Sequence, residues 1–313
     1  MLPELAASDS PQDHADWLEL LALVSADRNS SYQDLVAVIR RTGSMDALEF
    51  GDETDQGSEG SQQVADDAFA ELDLRARSCG GLYPFELHNQ FIQLSSSEHE
   101  IGPYIFMLLL KTFGLDTGPR GFKTASHFEC LATEAARRYL GGDDCGAEAY
   151  HFGFPRSSGP GSFKEALEEL CRLVGEGGGP NNARARLIRN QKDGKLDLVA
   201  WRHFPDRRRG KLVVFGQCAA GANYQTKLTE LLPSGFSSLY LLDQILPNPV
   251  LFFFVPLCVD DDWWLKVVAN QAILFDRCRI TALLGGPPLS ADLQARTKEW
   301  CTFVLESRLR QDQ

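Results

Sequence analysis

Apolar residues at positions 14–24 (Trp17, Leu18, Leu20, Leu21 and Leu23) recur at helical spacing. Residues 32–41 repeat the pattern behind Ser30 and Ser31, which suit a helix N-cap. Two helices this short cannot bury a core alone and need a third element or a partner. LYPFELHNQFIQL (82–94) alternates like a hairpin. IGPYIFMLLLKTFG (101–114) predicts a buried helix, entered at Gly102-Pro103 and left at Gly114.

From Phe122 onward, helix-spaced and strand-like segments alternate. Residues 125–140 predict a helix with Phe128, Leu131, Ala132, Ala135, Ala136 and Tyr139 on one face, stopped by Gly141-Gly142. Residues 149–156 read as a strand and 163–174 as an amphipathic helix. Segments 195–204 and 211–219 read as two strands of a hairpin joined by the basic turn PDRRRG. Residues 223–232 predict a helix capped by Asn223, and the apolar run 250–259 predicts a strand buried on both faces. This order predicts an α/β fold, a sandwich of a mixed central sheet flanked by helices, with an N-terminal helical region. The expected organisation is an N-terminal helical module (1–50), an acidic flexible linker (51–70), an accessory hairpin and helix region (71–121), a core (122–285) and a C-terminal helix (286–313).

No apolar run approaches the roughly 20 residues of a membrane span, and the N-terminus lacks the blocks of a signal peptide, so a cytoplasmic protein is expected. Eight cysteines stand singly, with no C-x-x-C pair, which predicts reduced, buried thiols and no zinc site. A net charge of −12 argues against a nucleic-acid partner until its distribution is read. Residues 46–73 carry ten acids and no Lys or Arg, whereas 183–211 carry ten bases against three acids. The acidic excess is local, and the basic segment surrounds the stretch where chemistry is expected.

In DGKLDLVAW (193–201), Asp197 stands among Leu196, Leu198, Val199, Ala200 and Trp201. A carboxylate among apolar neighbours is expensive unless it is paired, hydrogen-bonded or metal-bound. Gln217 has the same surroundings in VVFGQCA. If the two strands pair across the 205–210 turn, the side chains converge at one end of the sheet. An oxygen pair of this kind suits Mg²⁺. Arg184, Arg186, Arg189 and Lys192 before the first strand, with Arg207, Arg208, Arg209 and Lys211 after it, suit a nucleic-acid backbone. ILFDRCRI (273–280) places Asp276, Arg277 and Arg279 in an apolar segment, which predicts a structural ion pair.

The conjunction of DGKLD and QCA resembles the Mrr-type branch of the PD-(D/E)XK, restriction-endonuclease-like superfamily, where Asp-Gly-Gly-hydrophobic-Asp precedes Gln-Cys-Lys on the next strand. Asp193, Gly194 and Asp197 match the first half, and Gln217 and Cys218 the second. Glu129 takes the place of a glutamate on the family's first core helix. The resemblance covers about residues 122–259. It implies a Mg²⁺- or Mn²⁺-dependent nuclease, DNA-directed and of the restriction or phage-defence kind, with Asp197 and Gln217 holding the metal. The family lysine is replaced by Ala219, so Lys227 is expected to have taken its role, with Lys195 as second choice. Two rivals stand beside this reading: an inactive nuclease-fold subunit that binds nucleic acid, favoured by Ala219, and a protein adaptor working through the N-terminal module, favoured by the acidic segment.

Overall fold

The first 113 residues build a helical layer around a small sheet. In this computed structural model every residue is described except Met1, Ala7 and residues 51–55, 96–100, 156–160 and 310–313, and the side chains of 43–50 and 56–58 are not described. Helix α1 (Pro11–Val24) starts where Ser10 Oγ accepts the Asp13 N–H at 3.1 Å. Strand β1 (Asn29–Ser31) leads into α2 (Tyr32–Phe50), where Ser31 Oγ accepts the Asp34 N–H and the Asp34 carboxylate accepts the Ser31 N–H. Helix α3 (Gln56–Ser78) follows. The expected hairpin forms as β2 (Phe85–His88) and β3 (Phe91–Leu94), with β1 added antiparallel to β3, and α4 (Pro103–Phe113) closes the region.

The expected linker differs from what is found. Residues 51–55 lie outside the described residues, and from Gln56 the chain is helical. The acidic, Gly- and Ser-rich composition hid a helical stripe of Ala65, Ala68 and Leu72, all fully buried. Nor do the expected boundaries separate independent cores. Helices α1–α4 bury their apolar side chains in the same cluster as the helices and sheet that follow.

That second part runs α5 (Thr124–Tyr139), β4 (Ala147–His151), α6 (Phe163–Val174), α7 (Ala185–Arg189), β5 (Leu198–Arg202), β6 (Val213–Cys218), α8 (Tyr224–Lys227), α9 (Pro233–Tyr240), β7 (Val250–Phe254), α10 (Asp261–Ala269), β8 (Ala272–Phe275), α11 (Arg277–Leu284) and α12 (Ala291–Val304). Its five-stranded mixed sheet has the order β4-β5-β6-β7-β8, antiparallel from β4 to β6 and parallel from β6 to β8. Period-2 alternation sorts side chains between two cores. Leu198, Ala200, Val214, Phe252 and Phe254 join α5 and the N-terminal helices, while Val199, Trp201, Phe215, Leu251 and Phe253 join α6, α9 and α10. The run VLFFF is thus buried on both faces as β7, and each fully buried Phe contributes about 1.5–3 kcal/mol.

Several edges move. Strand β5 starts at Leu198 because Gly194 and Lys195 both take positive φ (65° and 71°). The helix expected over 223–232 stops at Lys227, with no side-chain cap from Asn223. Pro233 opens α9, and the residue before a proline is pushed out of helical geometry; Leu232 is extended. Tyr139 is half exposed and lies edge-on to Phe252 and Phe275 rather than inside the core. The C-terminal helix begins only at Ala291, after Gly285-Gly286-Pro287-Pro288. Among the described residues no helix is long and apolar enough to cross a membrane.

The ion pair expected in 273–280 is made with partners from outside that segment. Asp276 caps α11 through the Arg279 N–H, while buried Arg277 reaches across to Asp16 at 2.7 Å. Arg75 of α3 meets Asp16 at 2.8 Å, Glu19 at 2.9 Å and Glu71 at 2.8 Å. The hydroxyls of Tyr83 and Tyr104 each donate to Glu19 at 2.7 Å.

Candidate active site

Asp197 immediately precedes β5. Leu198 is in register with Gly216, and the Asp197 N–H donates to the same Gly216 carbonyl at 3.0 Å, so two successive residues face one, as in a β-bulge. Gly216 permits this approach, since a Cβ there would lie 2.5 Å from the Leu198 side chain. The Asp197 carbonyl accepts the N–H groups of Phe152 and Gly153, both at 2.8 Å, and Asp197 Oδ2 accepts the Cys218 N–H at 2.7 Å. The carboxylate is therefore aimed by β4 and β6 as well as by its own strand.

Asp197, Gln217, Glu129 and Lys227 line one pocket of about 480 Å³, together with Lys192, Asp193, Lys195 and Glu230. Gln217 is 3% exposed, and its Oε1 has no hydrogen-bond partner among the described residues. Buried acceptors are rarely left so, and one on a residue that lines a polar pocket is an opening for a ligand. Burial, and next the charge of Glu129, push the Asp197 carboxyl well above its usual range; the Cys218 N–H and Lys227 pull the other way. With no cation brought to it the Asp197 carboxyl therefore favours its proton, and a cation bound there would favour the charged form.

Glu129 projects from α5, and its Oε2 is 2.7 Å from His151 Nε2. Gly153 leaves room for that carboxylate: a Cβ there would sit 2.4 Å from Oε2. Burial works against charge on His151, yet contacts with Cys130 and Glu129 raise it to about 9, so the ring is protonated at neutral pH. His151 and Gly153 escaped the sequence reading, in which 149–156 was a strand and nothing more. The signal was H-F-G at a strand end following a helix with an inward glutamate.

The cations divide. Lys227 lines the pocket from α8, and no ion pair holds it among the described residues. Lys195, the second choice, is turned to Glu230 at 3.0 Å. Arg184, Arg186, Arg189 and Lys192 are exposed on the approach through α7, Lys192 over the Phe154 ring. The Arg207–Arg209 turn lies at the other end of the β5–β6 pair, roughly 20 Å from Asp197 at about 3.3 Å per residue. Lys211 is not a surface cation at all. It is 2% exposed and ion-paired to buried Glu176, which also accepts the Gly210 N–H.

No protein-family model matches this chain, and no curated protein matches it. Among solved structures, the MspJI restriction endonuclease in complex with a 27-mer oligonucleotide aligns with 13% identity over 68% of this chain, at a TM-score of 0.33. The alignment spans 36% of that chain, about a third of its length. At that likeness the two share too little geometry for a fold or a role to pass from one to the other.

Proposed function

We propose that this protein is a metal-dependent nuclease of the restriction-endonuclease-like kind, cutting phosphodiester bonds in nucleic acid, with DNA the first substrate to test. The observation that carries the reading is Gln217, whose buried Oε1 has no partner among the described residues, lining the same pocket as Asp197, a carboxyl whose charged form its surroundings disfavour. Hard oxygen donors, one of them a carboxylate that a cation would stabilise, fit Mg²⁺ or Mn²⁺, and Asp197 and Gln217 are the residues that would hold it. When bound, such an ion neutralises charge on a phosphate oxygen and orients it.

The chain's own groups do the rest. The Cys218 N–H fixes one Asp197 oxygen and leaves the other to face the pocket. His151 holds Oε2 of Glu129, leaving Oε1 to accept a proton from the attacking water. Lys227 stabilises charge building on the scissile phosphate. Arg184, Arg186, Arg189 and Lys192 hold the nucleic-acid backbone without reading sequence. A place in restriction or phage defence, inside the cytoplasm, rests on the motif resemblance alone.

The test is cleavage of supercoiled and single-stranded DNA by the purified chain with Mg²⁺ or Mn²⁺. Asp197→Ala should abolish cut product while DNA binding survives; a variant that cuts like wild type removes the assignment. A second reading has its own support. Ala219, where the family lysine would stand, is fully buried in the core of α6, α9 and α10, which suits a fold that binds without cutting. A wild type that binds DNA and cuts nothing would favour it.

A further inference from the structure

A second cluster of donor groups lies where two parallel strands end together. Phe254 of β7 is in register with Phe275 of β8, and the chain leaving each strand carries a cysteine, Cys258 and Cys278. Arg277 staples the two exits: its backbone N–H donates to the Leu257 carbonyl at 3.2 Å, and its Nε to the Pro256 carbonyl at 3.1 Å. The sulfurs stand 3.7 Å apart. Two thiolates each about 2.3 Å from a tetrahedral zinc would be separated by about 3.8 Å.

Asp276 belongs to the same group, with every donor atom within 4.8 Å of the others. Its Oδ1 caps α11, leaving the second oxygen for a ligand. Cys79, just past α3, is fully buried and close enough to Cys278 to raise its thiol, though outside that group of three. Gly80, at φ 61°, then turns the chain against Ala282 of α11. Cys258 also lines a pocket of about 640 Å³, shared with Lys111, Asp13, Asp16 and Asp260, by which an ion can reach it.

We propose that Cys258, Cys278 and Asp276, with Cys79 as fourth donor, bind a structural zinc ion that clamps α3 to the ends of β7 and β8. Sulfur donors select zinc over the hard ion expected at Asp197, so the two sites take different metals. Each thiol loses its proton to solvent as it binds. The sequence concealed the site because its donors come from three separate elements, with 178 positions between Cys79 and Cys258. The proposal is independent of the nuclease reading, and either can fail alone.

The experiment is metal analysis and cobalt substitution on the full-length chain, purified under reducing conditions. One zinc per chain is expected, and Co²⁺ should give a thiolate-to-cobalt charge-transfer band at one equivalent. Cys258→Ala and Cys278→Ala should each remove the band, while Cys145→Ala and Cys301→Ala keep it. Asp276→Asn, which retains an oxygen to cap α11, should weaken cobalt affinity tenfold or more. Should the alanine variants fail to fold, alkylation of the wild type decides: a chelator should newly expose Cys79, Cys258 and Cys278 to iodoacetamide. A zinc-free chain that gives no cobalt band, a band that survives Cys258→Ala/Cys278→Ala, or alkylation unchanged by the chelator overturns the proposal.

Discussion

Between α1, α3 and α11, Asp16 and Glu19 are buried against Arg75 and Arg277, whereas at the end of the β5–β6 pair Asp197 meets the charge of Glu129 with Lys227 as its main countercharge. Burial disfavours both carboxylates. At Asp16, Arg277, then Arg75 and Lys111, outweigh burial and hold the carboxyl well below its usual range. At Asp197 burial and Glu129 win, and the carboxyl is pushed well above it. The first region has spent its charge on internal pairing, and its energetics concern the fold. The second leaves a carboxylate short of internal partners beside a buried acceptor with none among the described residues, which is what a site for an external cation offers.

The largest effect should come from breaking the paired region. Arg277→Met leaves Asp16 and Glu19 buried with one guanidinium fewer, and removing one partner of a buried pair costs about 3–5 kcal/mol. Denaturant titration measures it. A loss below about 1 kcal/mol would mean that the network is wetter than its burial suggests, and the contrast with Asp197 would collapse. At the pocket the matching perturbation should leave stability alone and act on rate. Lys227→Ala should lower the cleavage rate by about 10²- to 10³-fold with an unchanged melting temperature. Lys195→Ala, with its ammonium already turned to Glu230, should do much less.

The two carboxylates should also respond oppositely to pH, each compared with its Asn variant in metal-free protein. The Asp197 carboxyl has a raised folded value, so its favourable contribution is complete below about 3.9 and is lost as pH rises through the folded value. Asp197→Asn should therefore gain stability relative to wild type as pH rises above 4, by at most about 1.4 kcal/mol per pH unit. The Asp16 carboxyl has a depressed value, so its contribution is present above about 3.9 and lost as pH falls. Asp16→Asn should be less stable than wild type at pH 7, with the gap closing in acid. Parallel pH profiles for the two variants would contradict the comparison.

What the sequence disclosed follows the range of the forces involved. The helix at 163–174 was readable to the residue because Ser162 and Glu165 form a capping box and Gly175 ends it, all local signals. The strand run 250–254 was readable because burial on both faces leaves an unbroken apolar string. Asp197 and Gln217 stood out as polar residues where apolar ones belong, and they do line one pocket. Positions set by distant partners were not readable. Lys211 looked like part of a basic turn because nothing nearby in sequence announces Glu176, which lies 35 residues earlier. Arg277 stood in a segment that announced an ion pair, yet its carboxylates come from α1, more than 250 residues away.

The smallest expected effect concerns the two arginine sets, which sequence alone could not rank. Arg184, Arg186 and Arg189 lie on the segment that leads into the Asp197 pocket, while Arg207, Arg208 and Arg209 occupy the turn at the opposite end of the strands. Each phosphate contact adds about 0.9 to the slope of log K against log salt on duplex DNA, so three lost contacts should flatten it by at most about 2.7. The triple alanine variant at 184, 186 and 189 should approach that value, because a backbone that reaches the pocket must pass these side chains. The variant at 207, 208 and 209 should change the slope by less than about 1, since Arg208 is already drawn toward Asp206 at 3.8 Å and the turn stands roughly 20 Å from the reacting phosphate. Fluorescence anisotropy across a salt series reads both. If the turn variant flattens the slope more than the α7 variant, nucleic acid runs along the far end of the sheet. The pocket and the binding surface would then be different places, as a fold that binds without cutting predicts.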